Sequence, residues 1–168
     1  MTTPLSKTDQ LFLQRSIEVS RRALCDEGKT PFGAIVVIDG EIVGEGTSSV
    51  VGLNDPTAHA EVMALRDTGA KLGRHLFENG VMYSSSEPCP MCLVACYWAR
   101  LPRLVYGATS QDVANAGFED LQLYRELKLE RGERNLREAP ADQTLRKQAV
   151  DILLEWTKGL PEPVVPKL

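Results

Sequence analysis

No run of apolar residues in this chain approaches the ~18 needed to cross a bilayer, and the opening MTTPLSKTDQ has no apolar core of the kind an export signal carries. A protein of the cytoplasm with no membrane partner is the expectation. Basic residues are also short, because 19 Lys and Arg stand against 23 Asp and Glu for a net charge of −4. Proteins that track polynucleotide phosphates usually carry a basic face, so nucleic acid is disfavoured as a partner. Cysteine is sparse, with four copies. Two of them form a C-x-x-C in a chain without an export signal, which points to metal binding rather than a disulfide framework. Neither an internal repeat nor a linker divides the sequence. With 168 residues, 43% of them hydrophobic, the chain can bury one core and is too short for two domains of ordinary size. Residues 1–168 therefore read as one domain.

Ser6 with Asp9 forms a capping-box pattern ahead of an imperfect apolar stripe (Leu13, Ile17, Val19, Ala23, Leu24), so a first helix is expected to run to about Gly28. Phe32 to Ile38, the pair Asp39-Gly40 and Glu41 to Thr47 read as an antiparallel hairpin. Turn chemistry at Asn54-Asp55-Pro56-Thr57 precedes a helix from about Ala58 to Lys71, with His59 and Glu61 in its first turn. Val81 to Ser84 is a third strand, Cys89 to about Ala99 a helix, and Leu104 to Tyr106 a fourth strand. Helical spacing resumes over Gln111 to Ala116 and Glu119 to Glu130, whereas the charged segment Arg131 to Ala139 has room for at most one short strand. From Pro140 the residues Leu145, Ala149, Ile152, Leu153 and Trp156 mark one face of a last helix, which Leu160-Pro161-Glu162-Pro163 ends before an extended tail. A hairpin followed by alternating strand and helix indicates an α/β layered sheet.

The chemistry lies in His59-Ala60-Glu61 and, further on, Pro88-Cys89-Pro90-Met91-Cys92. One imidazole and two thiols supply three corners of a zinc tetrahedron and leave the fourth for water, while Glu61 beside a ligand is free to move protons. A C-x-x-C at a helix start brings both sulfurs to one side, and the positive end of the helix favours thiolate over thiol. The same field at His59 favours neutral imidazole, the form that binds metal. Residues two apart on an ideal helix point in different directions, so the helix end has to let ring and carboxylate approach a metal from different sides. Cys25 and Cys96 read as packing residues, and His75 as a favourable charge at a helix end.

Asp55-Pro56-Thr57-Ala58-His59-Ala60-Glu61-Val62 and Glu87-Pro88-Cys89-Pro90-Met91-Cys92 resemble the cytidine deaminase superfamily, whose H-x-E and P-C-x-x-C signature is established for zinc deaminases. Within it, Pro31-Phe32-Gly33-Ala34, Tyr97-Trp98-Ala99-Arg100 and Ala116-Gly117-Phe118-Glu119-Asp120 are most similar to bacterial guanine deaminases, over about Phe12 to Glu126. The resemblance implies a three-layer αβα sandwich on a mixed five-stranded sheet, with Zn²⁺ held by His59, Cys89 and Cys92. It also implies a hydrolytic aminohydrolase of a small aminated heterocycle, guanine to xanthine and ammonia, with Glu61 carrying the proton and Asp120 assisting at the amino group. The Ala60 backbone amide would bind the ring edge, and Phe32 and Trp98 its faces. A homodimer is implied too, in which residues 140–168 close the site or exchange between subunits.

One position departs from that group: an Asn in the turn after the second strand is replaced by Ser48, expected to touch substrate with a single hydroxyl where an amide donates and accepts at once. Deamination of cytosine, an aminotriazine, a pterin, a nucleoside or tRNA adenosine is therefore kept as an alternative. So is a non-catalytic zinc module, against which the presence of Glu61 counts.

Overall fold

Asp39 and Gly40 both adopt positive φ, 52° and 82°, the conformation of a two-residue hairpin turn whose twist matches that of the strands. They join β1 (Thr30–Ile38) to β2 (Glu41–Ser48) in antiparallel register, as the sequence predicts. In this computed structural model residues 4–163 are described, in two units, one ending at Lys128 and the next starting at Leu129. The expected tail beyond Pro163 lies outside the described residues.

In the first unit, α1 (Lys7–Ser20) begins at the expected capping box, with the Asp9 N–H donating to Ser6 Oγ at 3.0 Å. It stops short of Gly28, and a single 3₁₀ turn, Arg21–Leu24, carries the chain on. After β2 come α2 (Val50–Leu53), α3 (Ala60–Leu72), β3 (Gly80–Ser86), α4 (Pro90–Trp98), β4 (Arg103–Ala108), α5 (Ser110–Asn115) and α6 (Asp120–Glu126). The sheet order is β2-β1-β3-β4, with β1 antiparallel to both neighbours and β3 parallel to β4. Alternate residues of β1 face opposite layers. Ala34, Val36 and Ile38 pack with Ala60, Ala64 and Cys96 from α3 and α4, while Ile35 and Val37 pack with Val19, Phe12 and Leu13 from α1. This is the αβα sandwich.

The sheet has four strands among the described residues rather than five. Arg131 to Ala139 forms no strand: a 3₁₀ turn, Arg131–Glu133, is followed by charge pairs of Glu138 with Arg131 (3.2 Å) and Arg134 (2.9 Å). Its polar groups are satisfied locally, and no alternating apolar side would reward pairing with a sheet. The second unit then holds α7 (Gln143–Lys158), started by Asp142, whose carboxylate accepts from the Leu145 N–H at 2.9 Å. No helix among the described residues is long and apolar enough to cross a membrane.

Two features fix the layers around the sheet. On one side Asp9, buried at 5% exposure, accepts from Tyr83 Oη (2.8 Å) on β3 and from both terminal nitrogens of Arg103 (2.6 and 2.8 Å) on β4. The Arg103 bonds, with help from Ser6 and Tyr83 and against burial, hold its carboxyl well below the ordinary carboxylate range. On the other side α3 lies directly on β2, and a Cβ added at Gly46 would stand 2.2 Å from Ala60 O and 2.4 Å from Ala64 N. Only a residue without a side chain permits that approach.

Gly46→Ala is expected to cost about 1–3 kcal/mol by overpacking, read as a lower urea midpoint, and to loosen the start of α3. Asp9→Asn is expected to cost about 2 kcal/mol at pH 7. Because the folded carboxyl titrates below the unfolded one, its stabilisation is whole above the unfolded pKa and fades as pH falls toward the folded value. The gap between wild-type and Asp9→Asn urea midpoints should therefore narrow below about pH 4; a gap of equal width at pH 7 and pH 3 would contradict this account.

Candidate active site

His59 does not lie within the first turn of α3 as the sequence suggests, but is its N-cap, in extended conformation at φ −66° and ψ 157°. That one-residue shift resolves the geometry of the pair. The ring leaves an extended residue and the Glu61 carboxylate leaves the helix proper, so the divergence of residues two apart on a helix does not apply. Cys89 is likewise the N-cap of α4, at φ −64° and ψ 167°, followed by Pro90 in the first turn. Proline suits that place, where its missing N–H has no intrahelical partner to lose. An N-cap side chain turns back toward the third helical residue, here Cys92. The C-x-x-C converges for that reason.

The ligand atoms of His59, Cys89 and Cys92 all lie within 4.8 Å of one another, and these three are the group able to hold a metal among the described residues. His59 Nδ1 faces Cys89 Sγ at 3.6 Å. Cys96 is buried further along α4 and takes no part in the cluster. Between the side chains themselves, the hydrogen bond from Cys92 and the neighbouring His59 bring the Cys89 thiol down to about 4 against burial. The same bond to Cys89, with burial, pushes Cys92 upward, and the bond to Cys89 raises His59 against burial. Two sulfurs and an imidazole thus hold protons between them at close quarters, a donor set that a zinc ion fits by taking the place of those protons.

Glu61 is 4% exposed and accepts from Ser84 Oγ on β3 at 2.9 Å. Burial pushes its carboxyl above the ordinary range, with the Ser84 bond opposing. A carboxylate poised to take up a proton in a dry site suits acid–base work.

A cavity of about 380 Å³ opens over this floor. Phe32, Ser48, His59, Ala60, Glu61, Cys89 and Asp120 all line it, so six elements and loops deliver the predicted residues to one place. Ala60 is the first residue of α3, where a backbone N–H has no intrahelical acceptor and can turn to a ligand. Asp120 is half-buried at the start of α6, and burial, then the charge of Cys89, raises its carboxyl while His59 opposes. Ser48 is buried, and its Oγ accepts from Thr30 Oγ1 at 2.6 Å.

Cys92 lies buried beneath the lining, and among the expected substrate contacts Trp98 is the exception. It is absent from the cavity lining and 69% exposed at the end of α4, because nine residues of helix carry it roughly 13 Å along the axis from Cys89. Phe118 lines the cavity instead, with its ring edge-on to Phe32 at 4.8 Å between centroids. The sequence reading missed Phe118 as a cavity residue, although it falls inside the Ala116 to Asp120 motif, and missed Thr30 and Ser84. The signal for Ser84 was a polar residue at the end of an apolar strand.

The family model for the cytidine and deoxycytidylate deaminase zinc-binding region matches residues 6–108. The guanine deaminase of Bacillus subtilis (strain 168) is 43% identical over 118 residues, 70% of this chain and 76% of that protein. A solved structure of guanine deaminase from Bacillus subtilis is similar with a TM-score of 0.85 at 34% identity, covering 95% of this chain and 99% of that one. The tRNA-specific adenosine deaminase of Buchnera aphidicola subsp. Schizaphis graminum is 40% identical over 93 residues, 55% of this chain and 62% of that protein.

Metal analysis of gently purified protein should find about one zinc per chain. Cys92→Ser should weaken retention against a chelator by about 100-fold or more, since loss of even a residue supporting a ligand costs 10–100-fold. Unchanged zinc content in Cys92→Ser would remove that thiol from the ligand set.

Proposed function

The chain belongs to the family of cytidine and deoxycytidylate deaminase zinc-binding regions, a zinc-dependent hydrolytic deaminase, and from that premise we propose that its substrate is a free aminated purine base, guanine, converted to xanthine and ammonia. The observation that carries the reading is the buried Glu61, held by Ser84 beside His59, Cys89 and Cys92 at the floor of the cavity. A metal site that served only structure would have no use for a buried carboxylate outside its ligand set, kept dry against its desolvation cost. The likeness to guanine deaminases supports the choice of base, because it combines 43% identity with a structural match over 95% of this chain at a TM-score of 0.85.

Zinc held by His59, Cys89 and Cys92 would acidify a water and polarise the reacting centre. The rest is the work of side chains. Glu61 takes a proton from water and returns it to a ring nitrogen, and its raised affinity for protons suits it to do both. The Ala60 N–H binds the ring edge, and Ser48 contributes a hydroxyl further along the cavity. Phe32, with Phe118 at its edge, lies against the ring. Asp120, raised in pKa by burial, accepts from the amino group or protonates it as ammonia departs.

We assign the reaction to the cytoplasm and to a homodimer. Leu145, Ile152, Leu153 and Trp156 on α7 are each more than half exposed, an apolar face that a monomer would leave in water. A second copy covering that face, with residues 140–168 closing or exchanging at the site, makes the whole chain one functional domain.

Purified protein is expected to release ammonia from guanine in preference to cytosine, adenine, ammeline, pterins and their nucleosides. Glu61→Gln should keep its zinc while losing roughly 10²–10⁴-fold in turnover. Full activity in that variant would end the proton-carrying role of Glu61, and preference for another base would move the substrate assignment.

A further inference from the structure

The turn that delivers Cys89 is held by groups from later in the chain. The Glu87 N–H donates to Ala108 O at 2.7 Å, and the Glu87 carboxylate accepts from the Ser110 N–H at 2.7 Å. One residue on, the Pro88 carbonyl accepts from the Tyr124 hydroxyl at 2.8 Å. Pro88 is fully buried, and its carbonyl precedes the ladder of α4, in which Cys89 O accepts from the Leu93 N–H at 2.9 Å. Tyr124 therefore satisfies a buried acceptor immediately ahead of a metal ligand.

Tyr124 belongs to α6, whose first residue is Asp120 and whose Leu123 lines the cavity. Residues four apart share a helix face, so the hydroxyl grips the metal turn one helical turn beyond Asp120 and from the same side. Burial, then the nearby charge of Glu87, pushes the Tyr124 hydroxyl up to about 12. It keeps its proton to donate throughout the working pH range.

We propose that Tyr124 is a positioning residue, whose bond to the Pro88 carbonyl sets the distance between the Asp120 wall of the cavity and the metal turn, and so governs substrate affinity rather than metal retention. Metal retention stays with the three ligands and with the separate Glu87 strap. The inference rests on the deaminase reading above and adds to it a group that touches neither substrate nor metal.

The test uses zinc-loaded protein and Tyr124→Phe, which removes one hydroxyl and leaves the ring packed. The variant should hold the same zinc per chain and melt within a few degrees of wild type, with KM for guanine raised about tenfold, the size of one hydrogen bond, and kcat within about threefold. Guanine binding measured by calorimetry in a Glu61→Gln background should weaken by the same factor, a readout independent of turnover. A double-mutant cycle separates positioning from general stability: in Asp120→Asn, adding Tyr124→Phe should raise KM no further. An unmoved KM, loss of zinc, or effects that simply multiply in the double variant would overturn the proposal. Wild-type protein that releases no ammonia from guanine would instead overturn the functional reading.

Discussion

Backbone contact between α3 and β2 is the constraint on which the site depends. With no side chain at Gly44 or Gly46, the first two turns of α3 settle directly on the strand, so close that a Cβ at Gly44 would meet Ala64 O at 2.5 Å. Ala60 and Ala64 on that helix, with Cys96 and Ala99 around the end of α4, are small and buried in the same core cluster. Two helices thus lie close on one face of the sheet, and their starts reach the same point. Had either surface carried larger side chains, the helix axis would stand further off, since packed helices and sheets are spaced by what fills the gap. His59 and Cys89 are caps of those helices, so a displacement of one helix would pass directly into the distance between metal ligands.

Two buried acids show how the same fold assigns opposite roles to one chemistry. Asp9 is surrounded by Arg103, Tyr83 and Ser6 and is held ionised, so it fastens α1 to β3 and β4. Glu61 is equally dry, yet its partner is the neutral Ser84 hydroxyl, so burial wins, with the charge of Cys89 acting in the same sense, and its affinity for a proton rises. Burial acts in the same sense on both. The difference is the bonded partner, a guanidinium at Asp9 and a serine hydroxyl at Glu61. One carboxylate is consequently a structural anchor, and the other has the raised proton affinity that the proposed reaction uses.

His59 was legible in the sequence only through its motif, and it reaches Cys89 and Cys92 through the packing of α3 beside α4. Those two cysteines were legible because their spacing is set by local geometry: an N-cap and the third residue of a helix meet whatever the remaining fold does. The same holds for the Asp39-Gly40 hairpin and the Ser6–Asp9 capping box, each decided within four residues. What the sequence concealed depends on distance along an element or on contacts between elements. Trp98 shares a motif with its neighbours, but a linear motif carries no direction, and the helix takes it away from the cavity. Phe118 reaches the cavity because the chain turns at Gly117, φ 95°, between α5 and α6. Ser84 meets Glu61 only after β3 has paired with β1. The expected fifth strand failed for a related reason, since the Arg131 to Ala139 segment finds its charge partners within itself.

Ser48 can be understood in the same terms. Taken alone, a serine in place of an amide loses one of two opposed hydrogen-bonding groups at the substrate edge. In the folded chain Ser48 is paired with Thr30, which lines the same cavity, and the Thr30 hydroxyl donates to Ser48 Oγ. On the proposed reading, that donation would leave the Ser48 proton free to point at an acceptor on a bound ring. Rotation of both hydroxyls would reverse the chain of bonds, so that Ser48 donates to Thr30 and its oxygen is free to accept from a bound ring instead. A pair of hydroxyls therefore supplies in sequence the two senses that an amide supplies at once, and the departure at Ser48 is compatible with a purine edge that presents both a donor and an acceptor.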